Sequence, residues 1–117
     1  MKLLPLASLL ALAALFAPGT VSVCRADEPI GFEQGESLMA KYRCQPCHAV
    51  DQTSSAGPSL RDIAKRHAAD PHAQSELEQR IVNGSLGAWG PTPMAPVQVP
   101  HADLRKLVRW ILSLKQT

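Results

Sequence analysis

Two thiols and an imidazole stand within five consecutive residues, Cys44-Gln45-Pro46-Cys47-His48. This C-x-x-C-H spacing is the attachment signature of a c-type haem. Residues three apart on a helical turn face the same way. Both thiols can then meet the two vinyl groups along one side of a porphyrin and form thioethers, while His48 turns a ring nitrogen to the iron. Other uses of two close cysteines fit less well. A thioredoxin-like dithiol needs alternating strands and helices, and strand signals are weak along this chain. A structural zinc site needs four ligands, usually in two pairs; no second cysteine pair exists, and His67, His72 and His101 have no matching spacing. A disulfide suits an oxidising compartment but gives His48 no purpose.

A low-spin iron needs a second axial ligand. Met39 lies on the apolar stripe of a helix, where packing explains it. Met94 lies in Gly90-Pro91-Thr92-Pro93-Met94-Ala95-Pro96. Proline restricts the backbone there and lowers the entropic cost of holding the sulfur in place. Met94 is therefore the expected sixth ligand, and methionine–histidine ligation raises the reduction potential. The alternatives are His67, His72 and His101, each expected at the surface. An open sixth position would instead mean ligand binding or peroxidatic chemistry.

The elements that position these groups read as four helices joined by loops, with helical spacing dominant and no internal repeat. The first spans about 33–43, with Leu38, Met39 and Tyr42 at helical spacing and Gly35 leaving room for another helix. Ala49 to Pro58 is a polar loop. Ser59, with Asp62 three later, resembles a capping box and opens a short helix to His67. Asp70-Pro71 opens the third, which Asn83-Gly84 closes. Gly87 to Pro100 is too rich in proline for a regular helix or a central strand. The last helix runs from His101 to about Leu114, with Leu104, Leu107, Val108, Ile111 and Leu112 on one face.

The chain begins as a secretory signal peptide does: Met1-Lys2, an apolar run from Leu3 to Phe16, a break at Pro18-Gly19, then Cys24-Arg25-Ala26. Cleavage is expected after Ala26, leaving 27–117 as a single domain exported to the periplasm, with no membrane insertion afterwards. An uncleaved anchor and a lipidated Cys24 are the rival readings; the run falls short of the ~20 residues that span a bilayer. Lys2 and Arg25 are the two of twelve basic residues that precede Asp27, and all ten acidic residues follow Ala26, so the mature chain is formally neutral. It shows no basic stripe of the kind nucleic-acid binders carry. Its aromatic residues are Phe32, Tyr42, Trp89 and Trp110 alone, so a large apolar cofactor would complete a thin core.

Five segments then fall in an order and spacing that resemble the small bacterial class I cytochromes of the c-551 type. They are Cys44 to His48, Gly57-Pro58-Ser59-Leu60, Arg80-Ile81-Val82-Asn83-Gly84-Ser85, Trp89-Gly90-Pro91-Thr92-Pro93-Met94 and Trp110-Ile111-Leu112-Ser113. The resemblance runs from about Gly31 to Lys115. It implies an all-α fold wrapped around one covalent haem c, and an electron carrier in the periplasm rather than an enzyme. It also implies that the Pro58 carbonyl accepts from His48 Nδ1, that Arg80 and Trp89 donate to a haem propionate, and that Trp110 packs between the first and last helices. Two positions depart from the pattern. Val97 stands where an amide donor to the methionine sulfur is common, and Pro100 where a capping hydroxyl is common. Electrons would pass at a haem edge near Cys47, ringed by Pro46, Ala49, Val50, Pro93, Ala95, Pro96 and Val97. Redox partners would dock there transiently on a monomer. The remaining alternatives are a haem c subunit of a larger oxidoreductase and a ligand-binding or peroxidatic haem protein.

Overall fold

The computed structural model describes Gly19 and residues 28–116. The expected leader over 1–26, with Cys24 and the cut after Ala26, lies outside the described residues apart from Gly19. Four α-helices form, and the described residues contain no strand, only an isolated bridge between Ser85 and Met94.

Helix α1 (Phe32–Lys41) ends two residues before the spacing predicts. The cause is Arg43, which adopts the left-handed conformation (φ 56°) although it is not glycine. Cys44 N–H donates to Met39 O at 2.9 Å and Arg43 N–H to Ala40 O at 3.2 Å. This is the Schellman pattern that satisfies a helix's last carbonyls. A side chain in that conformation costs roughly 1–2 kcal/mol, and the turn it makes delivers Cys44 out of the helix direction.

Helix α2 (Leu60–Arg66) is capped by Ser59, whose hydroxyl accepts from Asp62 N–H at 3.0 Å. The reciprocal half of the box is relayed. Thr53 Oγ1 accepts from Ser59 N–H at 2.8 Å and donates to Asp62 Oδ2 at 2.6 Å. Bonds from Thr53 and Ser59 hold the Asp62 carboxyl below its ordinary value. Helix α3 (Ala73–Asn83) starts later than the Asp70-Pro71 signal because residues 71–72 form a turn first, in which Asp70 Oδ1 accepts from His72 N–H at 2.8 Å. Gly84 closes α3 at φ 75°. Helix α4 (His101–Ser113) begins at Pro100, which offers no side-chain cap, and runs into a 3₁₀ turn, Leu114–Gln116.

Helix α4 is the spine of the packing. Its Leu107, Trp110 and Ile111 meet Met39 of α1 and Leu60 and Ala64 of α2, while Leu104 and Val108 meet Leu77 of α3. Helix α1 can lie against α4 because of one glycine: a Cβ on Gly35 would stand 2.1 Å from two Trp110 ring atoms. Phe32 closes the same contact edge-on to Trp110, ring centroids 5.8 Å apart. Across this seam Tyr42 Oη donates to Asp103 Oδ2 at 2.6 Å and Lys41 Nζ at 2.9 Å.

Two outcomes follow. Gly35→Ala forces α1 from α4 and should cost about 3 kcal/mol or more, the upper end of overpacking, in denaturant unfolding; a loss below about 1 kcal/mol would contradict the packing. The Tyr42 hydroxyl first, then the Lys41 ammonium, hold the Asp103 carboxyl below its ordinary 3.8. Unfolding returns it to that value, so its contribution is complete above pH 3.8 and is lost as pH falls through the lower folded value. Asp103→Asn should therefore be less stable than wild type at neutral pH and converge with it in acid. An equal gap in thermal melts at both extremes would count against this linkage.

Candidate cofactor cleft

Residues 44–48 form one helical turn: Cys47 N–H and His48 N–H both donate to Cys44 O, at 3.2 and 2.9 Å. That turn sets the two cysteines on one side. Both are unbridged thiols, Cys44 half-buried and Cys47 exposed. Burial, with the Cys47 thiol adding to it, pushes the Cys44 thiol up. His48 Nδ1 lies 2.8 Å from the Pro58 carbonyl. A carbonyl only accepts, so Nδ1 carries a proton, and in the neutral ring the lone pair is on Nε2. The loop reaches the ring because residue 57 is glycine: a Cβ there would meet Cys47 O at 2.8 Å and His48 Cε1 at 3.1 Å. Two further bonds seat the loop on α2, from Leu60 N–H to Ala49 O and from Arg61 N–H to Val50 O, at 3.0 and 3.1 Å.

On the opposite wall the chain from Ser85 to Pro100 carries Met94. Its backbone is bonded twice to Ser85, N–H to O at 2.8 Å and the reverse at 3.0 Å, and Val97 N–H donates to Ile81 O at 2.8 Å. Gly84 allows this approach, since a Cβ there would stand 2.6 Å from Met94 O. Between the two walls lies a cleft of about 520 Å³ lined by Cys44, Cys47, His48 and Met94 together. That volume is typical of cofactor sites, ~300–1,000 Å³. Met39 also reaches its wall but belongs to the buried core of α1. His67, His72 and His101 do not line it.

The fully charged side chains among its lining residues are those of Arg43 and Arg80, and no carboxylate is among them. Arg80 Nε and Nη2 both donate to Glu76 Oε1, at 3.0 and 2.7 Å. Trp89 lines the cleft and is covered on its ring face by Arg66, 4.5 Å from the centroid. Arg66 Nη1 also donates to Ala88 O at 2.7 Å. This clamp was invisible in the sequence, since nothing local links positions 66 and 89; the Glu76–Arg80 pair was legible as an i, i+4 spacing. His67, Asp70 and Glu76 bring one ligand atom each within 4.8 Å of one another. Both carboxylates are already engaged, one by the His72 N–H and one by Arg80.

The arrangement is an apolar slot with two thiols on one rim, an imidazole held in one tautomer and a thioether opposite. These donor types match a covalently attached haem. Comparison with known proteins agrees. The Cytochrome c family model matches residues 32–115. The chain is 41% identical to cytochrome c-551 of Pseudomonas aeruginosa over 115 residues, covering 98% of this chain and 100% of the relative. It is 42% identical to cytochrome c-552 of Nitrosomonas europaea over 87 residues, covering 73% and 84%. The crystal structure of wild-type Nitrosomonas europaea cytochrome c552 superposes with a TM-score of 0.65, covering 68% of this chain and 99% of that one.

Proposed function

This chain belongs to the cytochrome c family, is of the c-551 type and carries one covalent haem c for electron transfer, and from that premise we propose how its residues do so. Cys44 and Cys47 would hold the haem through thioethers, His48 Nε2 and the Met94 sulfur would ligate its iron, and residues 27–117 would be the mature domain after removal of the leader. The observation that carries this reading is that these four side chains line one cleft while the other candidate histidines do not.

Bound haem supplies a one-electron Fe(III)/Fe(II) couple. The protein's residues keep the surroundings alike in both states. The Pro58 carbonyl fixes the imidazole of His48, as a ligating histidine requires. The paired bonds to Ser85 fix the backbone of Met94. Trp89 Nε1 and Arg80, both on the cleft wall, would donate to the cofactor's carboxylates, and Arg80 would share its guanidinium between that role and Glu76. Leu60, Ile63, Leu77, Leu107 and Ile111 exclude water from the inner wall.

Exchange with partners takes place at the rim near Cys47. Pro93 and Ala95 are exposed and Val97 half-buried on the cleft lining; Pro46, Ala49 and Pro96, outside that lining, are also exposed, while Val50 is half-buried and packs on the core. This small apolar rim suits a brief encounter with another redox protein. The working state is a periplasmic monomer between respiratory or photosynthetic donors and acceptors. Among the described residues no helix is long and apolar enough to cross a membrane.

The test is the oxidised holoprotein's absorption. Methionine–iron coordination gives a weak near-red band that cyanide abolishes. Met94→Ala should lack the band and have a lower midpoint potential, whereas a band that survives in Met94→Ala rules Met94 out. Val97, on the cleft wall, offers the sulfur no donor. Its apolar side chain leaves the sulfur free to donate to iron and keeps it dry. Val97→Asn should lower the midpoint potential in a redox titration; an unchanged or higher value refutes that role.

A further inference from the structure

Thr92 stands between Pro91 and Pro93, two residues before Met94. Its hydroxyl donates to the Ser55 carbonyl at 3.0 Å, across 37 residues of sequence. Both residues line the cleft. The bond therefore joins the two loops that bound the mouth, one running from His48 to Pro58 and the other carrying Met94. Among the described residues it is the hydrogen bond that links these two loops; the remaining tethers of the Met94 segment run to Ser85, to Ile81 of α3 and to Arg66 of α2.

We propose that the Thr92 hydroxyl is a latch that holds the Met94 arm closed over the cleft and sets how readily the methionine leaves the iron; this rests on the Met94 ligation proposed above. The parts of a hinged arm are present. Gly87 (φ 76°) and Gly90 (φ 123°) both adopt positive φ, and a Cβ at either would have open space around it. At these two glycines packing sets no limit and the backbone conformations are those glycine adopts freely, while Arg66 holds Ala88 and Trp89 between them. From Pro91 to Pro93 the two rings fix φ, so the segment moves as a stiff unit. A hydrogen bond in the middle of that unit governs a sulfur two residues on. The bonds to Ser85 and Ile81 secure the arm along its α3 side and leave the side facing Ser55 to Thr92 alone among hydrogen bonds of the described residues.

The latch bears on what the protein does. An iron whose sixth ligand leaves seldom is an electron carrier, and one whose sixth ligand leaves often binds added ligands. Thr92 is then a positioning residue that keeps this chain on the first side of that line.

The experiment uses oxidised holoprotein and saturating cyanide, where the rate of loss of the near-red band is set by methionine departure. Thr92→Val keeps the shape and removes the hydroxyl; Thr92→Ser keeps the hydroxyl. Removal should speed loss roughly fivefold, or about 1 kcal/mol, as one neutral hydrogen bond permits, and Thr92→Ser should stay near wild type. Ser75→Ala removes an equivalent hydroxyl–carbonyl bond, to His72 O at 3.0 Å, between residues that do not line the cleft; it serves as the control and should leave the rate unchanged. The proposal is overturned if Thr92→Val matches wild type, if Thr92→Ser is as fast as Thr92→Val, or if Ser75→Ala speeds loss equally. A wild-type protein with no near-red band overturns the Met94 reading itself, and the latch with it.

Discussion

The imidazole of His48 can serve the cleft from one nitrogen only, because the other donates to the Pro58 carbonyl at 2.8 Å. Much of the surrounding chain exists to let that bond form. Position 57 cannot carry a side chain, since a Cβ would press on Cys47 O and on the ring itself. Pro58 is buried and rigid, so its carbonyl is a fixed acceptor. Ser59 begins α2 directly after it, and the bonds of Ala49 and Val50 to the first residues of α2 fold the loop back over the histidine. Orientation of the imidazole is thus obtained from backbone groups that the packing of α2 on α4 already holds still, and not from a side chain that could rotate away.

The seam between α1 and α4 plays the matching part for the cysteines. Gly35 and Trp110 bring the helices into contact, and Lys41, Tyr42 and Asp103 fix their register. Immediately beyond, Arg43 turns the chain left-handed and hands Cys44 to the cleft wall. A strained residue next to a functional segment is held only because its surroundings over-determine it. Here the over-determination is visible as two backbone bonds to α1 and the half-buried sulfur of Cys44 packed on the core. The charge pattern follows the same economy. The chain from residue 27 is formally neutral, and the lining of the cleft includes two arginines and no carboxylate, with the guanidinium of Arg80 met by Glu76.

What could be read from the sequence was whatever depends on near neighbours. The four helices follow from apolar stripes, and two of their ends from Ser59 and Gly84, whereas Asp70 opens a turn that delays α3 to Ala73. The C-x-x-C-H turn and the stiff methionine loop announce themselves by residue type. The end of α1 was missed by two residues because no glycine or asparagine marks Arg43. The capping box at Ser59 was read correctly as a cap, but its return bond passes through Thr53, six residues upstream, which no local pattern contains. Contacts between loops, Arg66 with Trp89 and Thr92 with Ser55, were likewise out of reach, because they depend on where α2 carries its neighbours.

The methionine loop shows why such side-chain contacts are needed at all. Proline lowers the entropy lost on ordering a loop, but every proline also removes a backbone donor. Pro91, Pro93, Pro96 and Pro100 leave the segment short of N–H groups with which to bond its surroundings. Of those that remain, Met94 and Val97 place theirs on Ser85 and Ile81. The rest of the anchoring comes from outside the backbone: a guanidinium on the Ala88 carbonyl and the Trp89 ring, and a threonine hydroxyl on the Ser55 carbonyl. A loop stiffened by proline is rigid within itself but poorly attached. The attachment of this one is divided among α3, α2 and the loop that orients His48, so the two walls of the cleft hold each other in place.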